Sequence, residues 1–555
     1  MAKECKFKPL KTNQMPSISL RVVLLILGLI SSLLLHSQTA DPRLKNHTER
    51  DSSAKKMAQP LQTKTLSSVL LDSLTKSPIA YASIVLKNNQ GVITNEEGAF
   101  SIQLPQDVQL SDSVTVSSMG YEKKQFLLSA VGDTLLIASK EIVLNGVIVS
   151  NKNLSAQDIV LKIKENLSQN HPQNLTTKRL FFRASETQYM SKMDVDFKKS
   201  SIGALNEKFI DSVMGLIPRN GAYFTEVLAD LHGDYTEKNQ KIKLIKASKL
   251  YDKENEVSFE GIEKKFDEIF EQNVKKDSYL KVKSGWFSTK VSSDELFYKE
   301  AVIDSSNVAL LDSLATVKKE QDLKRKEGFA SHRKNRMGRL FERLFFNEDS
   351  PFDFLFKDNR YEIRLEDFTY LGALPVYQLR FTSKGRSDYN AILYVNADDF
   401  GVVRLDFKNS QILKKVKLLG FSYVNYLCEG KAFFTKTEDL GYQLSYLEET
   451  AAEKVGIKRP IKIVEKNKNT RGRRKQNELI VGIDFEINSQ NKNEIVVFSH
   501  KAIDPETFKT IKEDNKILPA YLPKYDPNFW EGYNIIEPNT AIKSFSAASQ
   551  TKPNN

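Results

Sequence analysis

A chain of 555 residues is too long for one hydrophobic core and corresponds to about three folded units at roughly 100 to 200 residues each. Hydrophobic residues make up 40% of it and charged residues 27%, with 32 Phe and 20 Tyr, which excludes wholesale disorder. The net charge of +12 raises nucleic-acid binding, but the excess sits in Lys318–Arg343 and Lys466–Lys475, and neither stretch interleaves the aromatics that stack on bases.

In chain order, Lys3, Lys6, Lys8, Lys11 and Arg21 precede an uncharged apolar run from Val22 to Leu35, followed by polar His36, Ser37 and Gln38. This layout predicts a signal peptide over residues 1–37, with cleavage between Ser37 and Gln38. The run is short of the roughly 20 residues that a membrane-spanning helix needs; a retained anchor is the alternative. No Cys follows the run closely, so a lipid-modified N-terminus has no acceptor. With Cys5 removed, Cys428 stands alone, which excludes an internal disulfide and a Cys-based zinc site. Export without disulfides fits a bacterial envelope, periplasmic or outer-membrane-associated. Residues 38–64 are polar, contain Pro42 and Pro60, and read as a flexible linker.

From residue 65 to 150 short alternating segments are separated by turn residues: Ser67–Asp72, Ala80–Lys87, Gly91–Thr94, Ala99–Leu104, Asp112–Ser117, Tyr121–Leu128 and Thr134–Val143. Seven strands without a helical period predict an all-β sandwich. Three stretches in it carry a resemblance: Thr75–Ala82 (TKSPIAYA), Thr94–Phe100 (TNEEGAF) and Val114–Tyr121 (VTVSSMGY). They resemble the signature stretches of carboxypeptidase-regulatory-like domains, prealbumin-like sandwiches frequent in envelope proteins of Bacteroidota-type bacteria. The resemblance implies a binding or structural module.

Residues 151–555 predict an α+β region. Ser155–Asp158 reads as a capping box opening a helix that ends before His171–Pro172. Further helices are expected at Ala204–Leu216, Phe259–Asn273 and Ser305–Arg343, giving a mixed segment over 151–350. Over 351–540 the alternation becomes regular: Tyr361–Leu371, Val376–Thr382, Tyr389–Val395, Val402–Lys408, Lys417–Asn425, Ala432–Thr437, Tyr442–Glu449, Leu479–Asn488 and Glu494–Ser499. An antiparallel meander follows, and with helices before it the pattern resembles the half-barrel of lipoprotein-carrier proteins. Tyr525–Ile536 resembles the closing stretch of Bacteroidota envelope proteins that carry a regulatory-like domain. Residues 541–555 read as a disordered tail.

For chemistry the residues offer little. None of the six His is followed by Glu at the third position, so the zinc-peptidase pair is missing. No nucleophile elbow, phosphate-binding loop or dinucleotide fingerprint is present. Asp230, His232 and Asp234 would share one side of a strand and are the candidate metal set; a metal-dependent hydrolase in residues 151–555 is the alternative built on them. The expectation is otherwise a non-catalytic protein without cofactor, acting in binding, assembly or transport. Tyr361, Tyr370, Tyr377, Tyr389 and Tyr394 would line a ligand surface on the meander. Expected partners are envelope proteins, glycans or lipids, with peripheral membrane contact through the two basic stretches and no nucleic acid.

Overall fold

The computed structural model describes residues 64–87, 91–140, 154–252, 265–292, 308–468 and 474–546, apart from a few positions within these ranges. The expected signal peptide and nearly all of the linker lie outside them. So does most of the helix expected at Phe259–Asn273, of which residues 268–273 are helical.

The first unit has two sheets. β1 (Lys64–Asp72), β4 (Ala99–Leu104) and β7 (Thr134–Ile137) form one, in the order β4-β1-β7. β2 (Ser83–Leu86), β3 (Gly91–Ile93), β5 (Ser113–Ser117) and β6 (Lys124–Leu127) form the other, in the order β3-β2-β5-β6. Alternation drives both: along β4 every second residue is buried, and Phe100, Ile102, Leu104, Ile84, Val114 and Val116 join one cluster that draws on both sheets. Gly98 allows the turn into β4. Its φ is +74°, and a Cβ there would stand 2.5 Å from the Leu70 carbonyl.

The rest is organised around a single 14-stranded sheet. Helix α1 (Ala156–Asn170) starts at Ser155 through the expected capping box. The chain continues through β8 (Thr176–Ser200), α2 (Glu207–Leu216), β9 (Asn220–Gly233), β10 (Gln240–Leu250), β11 (Ser278–Ser284), β12 (Phe287–Ser292) and the 35-residue α3 (Val308–Glu342). Then come β13 (Tyr361–Leu371), β14 (Leu374–Ser383), β15 (Tyr389–Asn396), β16 (Val402–Asn409), β17 (Lys414–Leu418), β18 (Phe421–Thr437), β19 (Gly441–Asn467), β20 (Lys475–Ala502), α4 (Pro505–Thr510), β21 (Ala520–Leu522) and α5 (Thr540–Lys543). The main path runs β13-β14-β15-β16-β18-β19-β20-β8-β9-β10-β21. The sheet therefore takes strands from both sides of residue 350.

Three strands far exceed the usual 3–10 residues. β8, β19 and β20 have 25, 27 and 28 residues, so β20 extends about 90 Å at ~3.3 Å per residue. They join two apolar cores. One lies under α1, the C-terminal half of α3 and the segment after it, where Phe341, Leu344, Phe345, Phe346, Phe352 and Phe354 fill the face of the meander. The other, around Ile461, Val481, Ile483 and Phe485, lies toward the far end with residues near α2.

Several expected elements are redrawn. Lys417–Asn425 is a hairpin: Leu419 and Gly420 have φ of +49° and +81° and separate β17 from β18. Tyr442–Glu449 is the start of β19, and Leu479–Asn488 with Glu494–Ser499 are two parts of β20. Of the expected tail, residues 541–546 are packed, because Ile542 and Phe545 bury against Phe224 and Leu250.

Candidate functional site

Neighbouring residues on a strand face opposite ways, and the long strands use this to separate two environments. On β19, Leu447 joins the core under α3 and Glu449 pairs with Arg343, while Tyr446 and Glu448 face the first unit. Tyr81 of the first unit enters there. Its φ of +59° is unusual for a bulky side chain, and its hydroxyl donates to Glu448 at 2.9 Å. Its ring meets Phe433 edge-on at 5.9 Å and Tyr446 at 5.2 Å, with the Lys431 ammonium 4.1 Å from its centre.

Behind Tyr81 lies a buried ionic network. Arg183, 1% exposed, donates to Glu226 at 2.8 Å and to the Ile536 carbonyl at 2.8 Å, with Glu494 3.9 Å away. Glu226 also accepts from Ser248 and from the Trp530 indole at 2.7 Å. Lys492 lies 3.2 Å from Glu448 and 3.7 Å from Glu494, and also pairs with Glu96 of the first unit. Burial pushes the Glu448 carboxyl up, but Lys492, Lys431 and the two tyrosine hydroxyls together bring it below the ordinary range. Burial wins at Glu494, raising its carboxyl despite Arg183 and Lys492.

Beside this network a cleft of about 310 Å³ opens on the outer face of β14, β15, β16, β18 and β19. Arg380, Asp406, Lys408, Glu429, Lys431 and Glu448 supply its charges and Ile392 its apolar side chain, while Phe407 turns inward onto Phe352. Gly430 keeps the strands close: a Cβ there would meet the Glu448 carbonyl at 2.0 Å and the Phe407 ring at 2.7 Å. Arg404 holds Asp406 through two bonds of 2.7 Å and lies over the rings of Tyr394 and Phe433.

The five tyrosines do not form one surface. Tyr361, Tyr377 and Tyr389 are buried in the core under α3, since Tyr389 shares its face of β15 with Ala391, Leu393 and Val395. Tyr361 donates to Asp353 at 2.5 Å. Tyr370 lies beneath the Lys140 ammonium at 3.8 Å, and Tyr394 sits beside the cleft under Arg404.

The candidate metal set is likewise divided. Arg179 takes both carboxylate oxygens of Asp230, Thr177 bonds His232 Nδ1 at 2.8 Å, and Asp234 lies just beyond β9, tying down Thr236 and Asn239. Among the described residues no group of three His, Cys, Asp or Glu side chains is placed to hold a metal ion. The basic stretch Lys318–Arg343 is engaged internally over residues 334–343: Lys334 pairs with Glu513, Arg336 with Glu186, Arg339 with Glu237 and Arg343 with Glu449. Of Lys466–Lys475, Lys475 pairs with Glu478. Cys428 is buried, its thiol pushed up by burial.

Of the residues that do converge, Tyr81 lies in the first of the three signature stretches, whereas Arg183, Lys431, Glu448 and Lys492 belong to no motif. The visible signal was charge at alternate positions within otherwise apolar strands, as at Lys492 and Glu494.

No family model matches the chain, and no curated protein matches it. Among solved structures it is similar to a LolA superfamily protein from Nitrosomonas europaea, at 9% identity over 64% of this chain and 97% of that one, with a TM-score of 0.14. It is also similar to the MucA/MucB complex structure of Pseudomonas aeruginosa, at 7% over 59% and 94% with a TM-score of 0.12. A membrane-associated protein of unknown function from Bacteroides fragilis matches at 9% over 79% and 99%, TM-score 0.12. TM-scores this low do not define a shared fold. Among the described residues no helix is long and apolar enough to cross a membrane.

Proposed function

We propose that the chain is an exported, non-catalytic binding protein of the bacterial cell envelope, and that its cleft receives an extended segment of a partner protein. In this reading the first unit is a carboxypeptidase-regulatory-like sandwich locked onto a half-barrel. Export is supported by the charge and hydropathy layout of residues 1–37. The sandwich assignment is supported by two sheets over one core and by Tyr81, Gly98 and Gly120 of the three signature stretches, which occupy turns or contacts with φ above zero.

The observation that carries the reading is the cleft: charges of both signs on adjacent strands around Ile392, beside a pegged interface, fit a polypeptide backbone with mixed side chains. A lipid carrier needs an open apolar cavity, whereas here Phe341, Phe345, Phe346, Phe352 and Phe354 occupy the face of the meander. A photo-crosslinking amino acid placed at Asn390 of the full chain, in cells, is expected to capture a discrete envelope protein, and Lys431→Glu to abolish the capture. A crosslink profile identical to that of an exposed control position such as Glu165 would overturn the reading.

A further inference from the structure

The β17–β18 hairpin belongs to neither core, and its composition is unlike that of the other sheet edges. Between Asn409 and Tyr426 the chain carries Lys414, Lys415 and Lys417 and no acidic residue. All five residues of β17 are exposed. Ile412, Val416, Leu418, Leu419 and Tyr426 are between 37% and 63% exposed, the largest values falling at the turn. The sheet's terminal edge strand β13 presents Glu362, Arg364, Glu366 and Asp367 instead, the mixed charges that normally blunt an edge.

The hairpin is two-sided. Its register places Val416 opposite Tyr423 and Leu418 opposite Phe421, and Phe421 is next to Ile457, so the apolar side continues the far core outward beyond its covered part. Lys415 and Lys417 stand on the other side, opposite Val424 and Ser422. Neither makes an ion pair with the described residues, and Lys414 lies 5.8 Å from the Tyr423 ring.

We infer that this hairpin is a membrane-surface anchor, which inserts Leu418 and Leu419 into a bilayer with anionic headgroups and sets the three lysines among the phosphates. The dimensions fit. Val416 lies two residues, about 7 Å, behind the tip, within the ~5–10 Å to which interfacial segments bury their apolar face. The lysines then lie at headgroup level, where each contributes roughly fivefold in affinity for an acidic surface. Charge complementarity chooses the occupant, because an apolar tip whose own strand carries three lysines and no carboxylate repels other basic surfaces and meets fixed negative charge on an acidic leaflet. This inference does not depend on the cleft.

The test uses the full chain carrying L418W and vesicles of phosphatidylcholine with about one third phosphatidylglycerol. A local probe separates the hairpin from any contribution of residues 1–63. The added indole, measured as the difference from the unsubstituted chain, is expected to shift to the blue and to be quenched by lipids brominated in the acyl chain. Both effects should weaken by more than tenfold when phosphatidylglycerol is omitted or Lys415→Glu and Lys417→Glu are introduced. A second variant, L419D in the L418W background, should lose quenching while its thermal unfolding stays unchanged, since both sites are exposed. Unquenched emission at every lipid composition would overturn the inference. So would a hairpin that binds an acidic protein while remaining dark to brominated lipid.

Discussion

Arg183 shows how far single residues are committed in this interior. Its guanidinium is surrounded by Glu226, Glu494, the Ile536 carbonyl and the Phe181 ring, and thus ties β8, β9, β20 and the C-terminal segment together. Removing one member of a buried ionic set leaves its partners charged and desolvated. Arg183→Met should therefore destabilise by about 3–5 kcal/mol, measured by urea unfolding, and adding Glu494→Gln should restore part of the loss in a double-mutant cycle. If the single variant unfolds like the parent, the network is not stabilising. None of this is legible in the sequence, because buried charges follow no period and Arg183 differs from an exposed arginine only through partners on β9, β20 and the C-terminal segment, the last two of them hundreds of residues later. The five tyrosines erred for the related reason that alternation says which residues share a face, not which face is covered.

At the scale of elements, the sequence was most informative where turns are polar. Ala99–Leu104 and Tyr361–Leu371 have the expected ends, because Gly98 and the Leu371–Leu374 corner punctuate them. The Lys417–Asn425 segment reads as one strand because its turn residues, Leu419 and Gly420, sit in an apolar run. Long strands were broken in two because their middles are polar: Ser489 to Asn493 reads as a loop, yet Ser489 and Asn493 are buried and Asn493 accepts from Arg336 at 2.7 Å. Gly98 offers a test of turn chemistry. Gly98→Ala adds both a positive-φ penalty and a contact with the Leu70 carbonyl, and should cost about 1–3 kcal/mol, read as a lower denaturation midpoint with an unchanged slope. No change would mean that the turn relaxes.

At the scale of the molecule, acid should weaken the fold through buried histidines. His171 is boxed by Phe345, Phe346, Phe434 and Tyr442, accepts from the Val402 amide, and is held by burial at about 3 although Asp399 opposes this. His500, 2.8 Å from the Leu444 carbonyl, is held by burial at about 4. Both folded values lie below the ordinary ~6.5 of the unfolded chain. Stability from these groups is therefore complete above pH 6.5 and is lost as pH falls toward 4 and 3, by an amount on the order of a few kcal/mol. Melting temperature should drop across this window, and His171→Phe should flatten the slope; an unchanged slope would place the acid sensitivity elsewhere.

The pairing of β8 with β20 sets Thr176 against Ala502 and Ser200 against Leu479. β8 cannot take this partner until Lys475–Ala502 has been made, long after Ser200. Nascent β8 must wait with one long edge unsatisfied, so the molecule passes through a slow, late and nearly simultaneous closure. A bare edge of that length invites pairing with the wrong strand, so any helper that guards β8 would have to stay until β20 is complete.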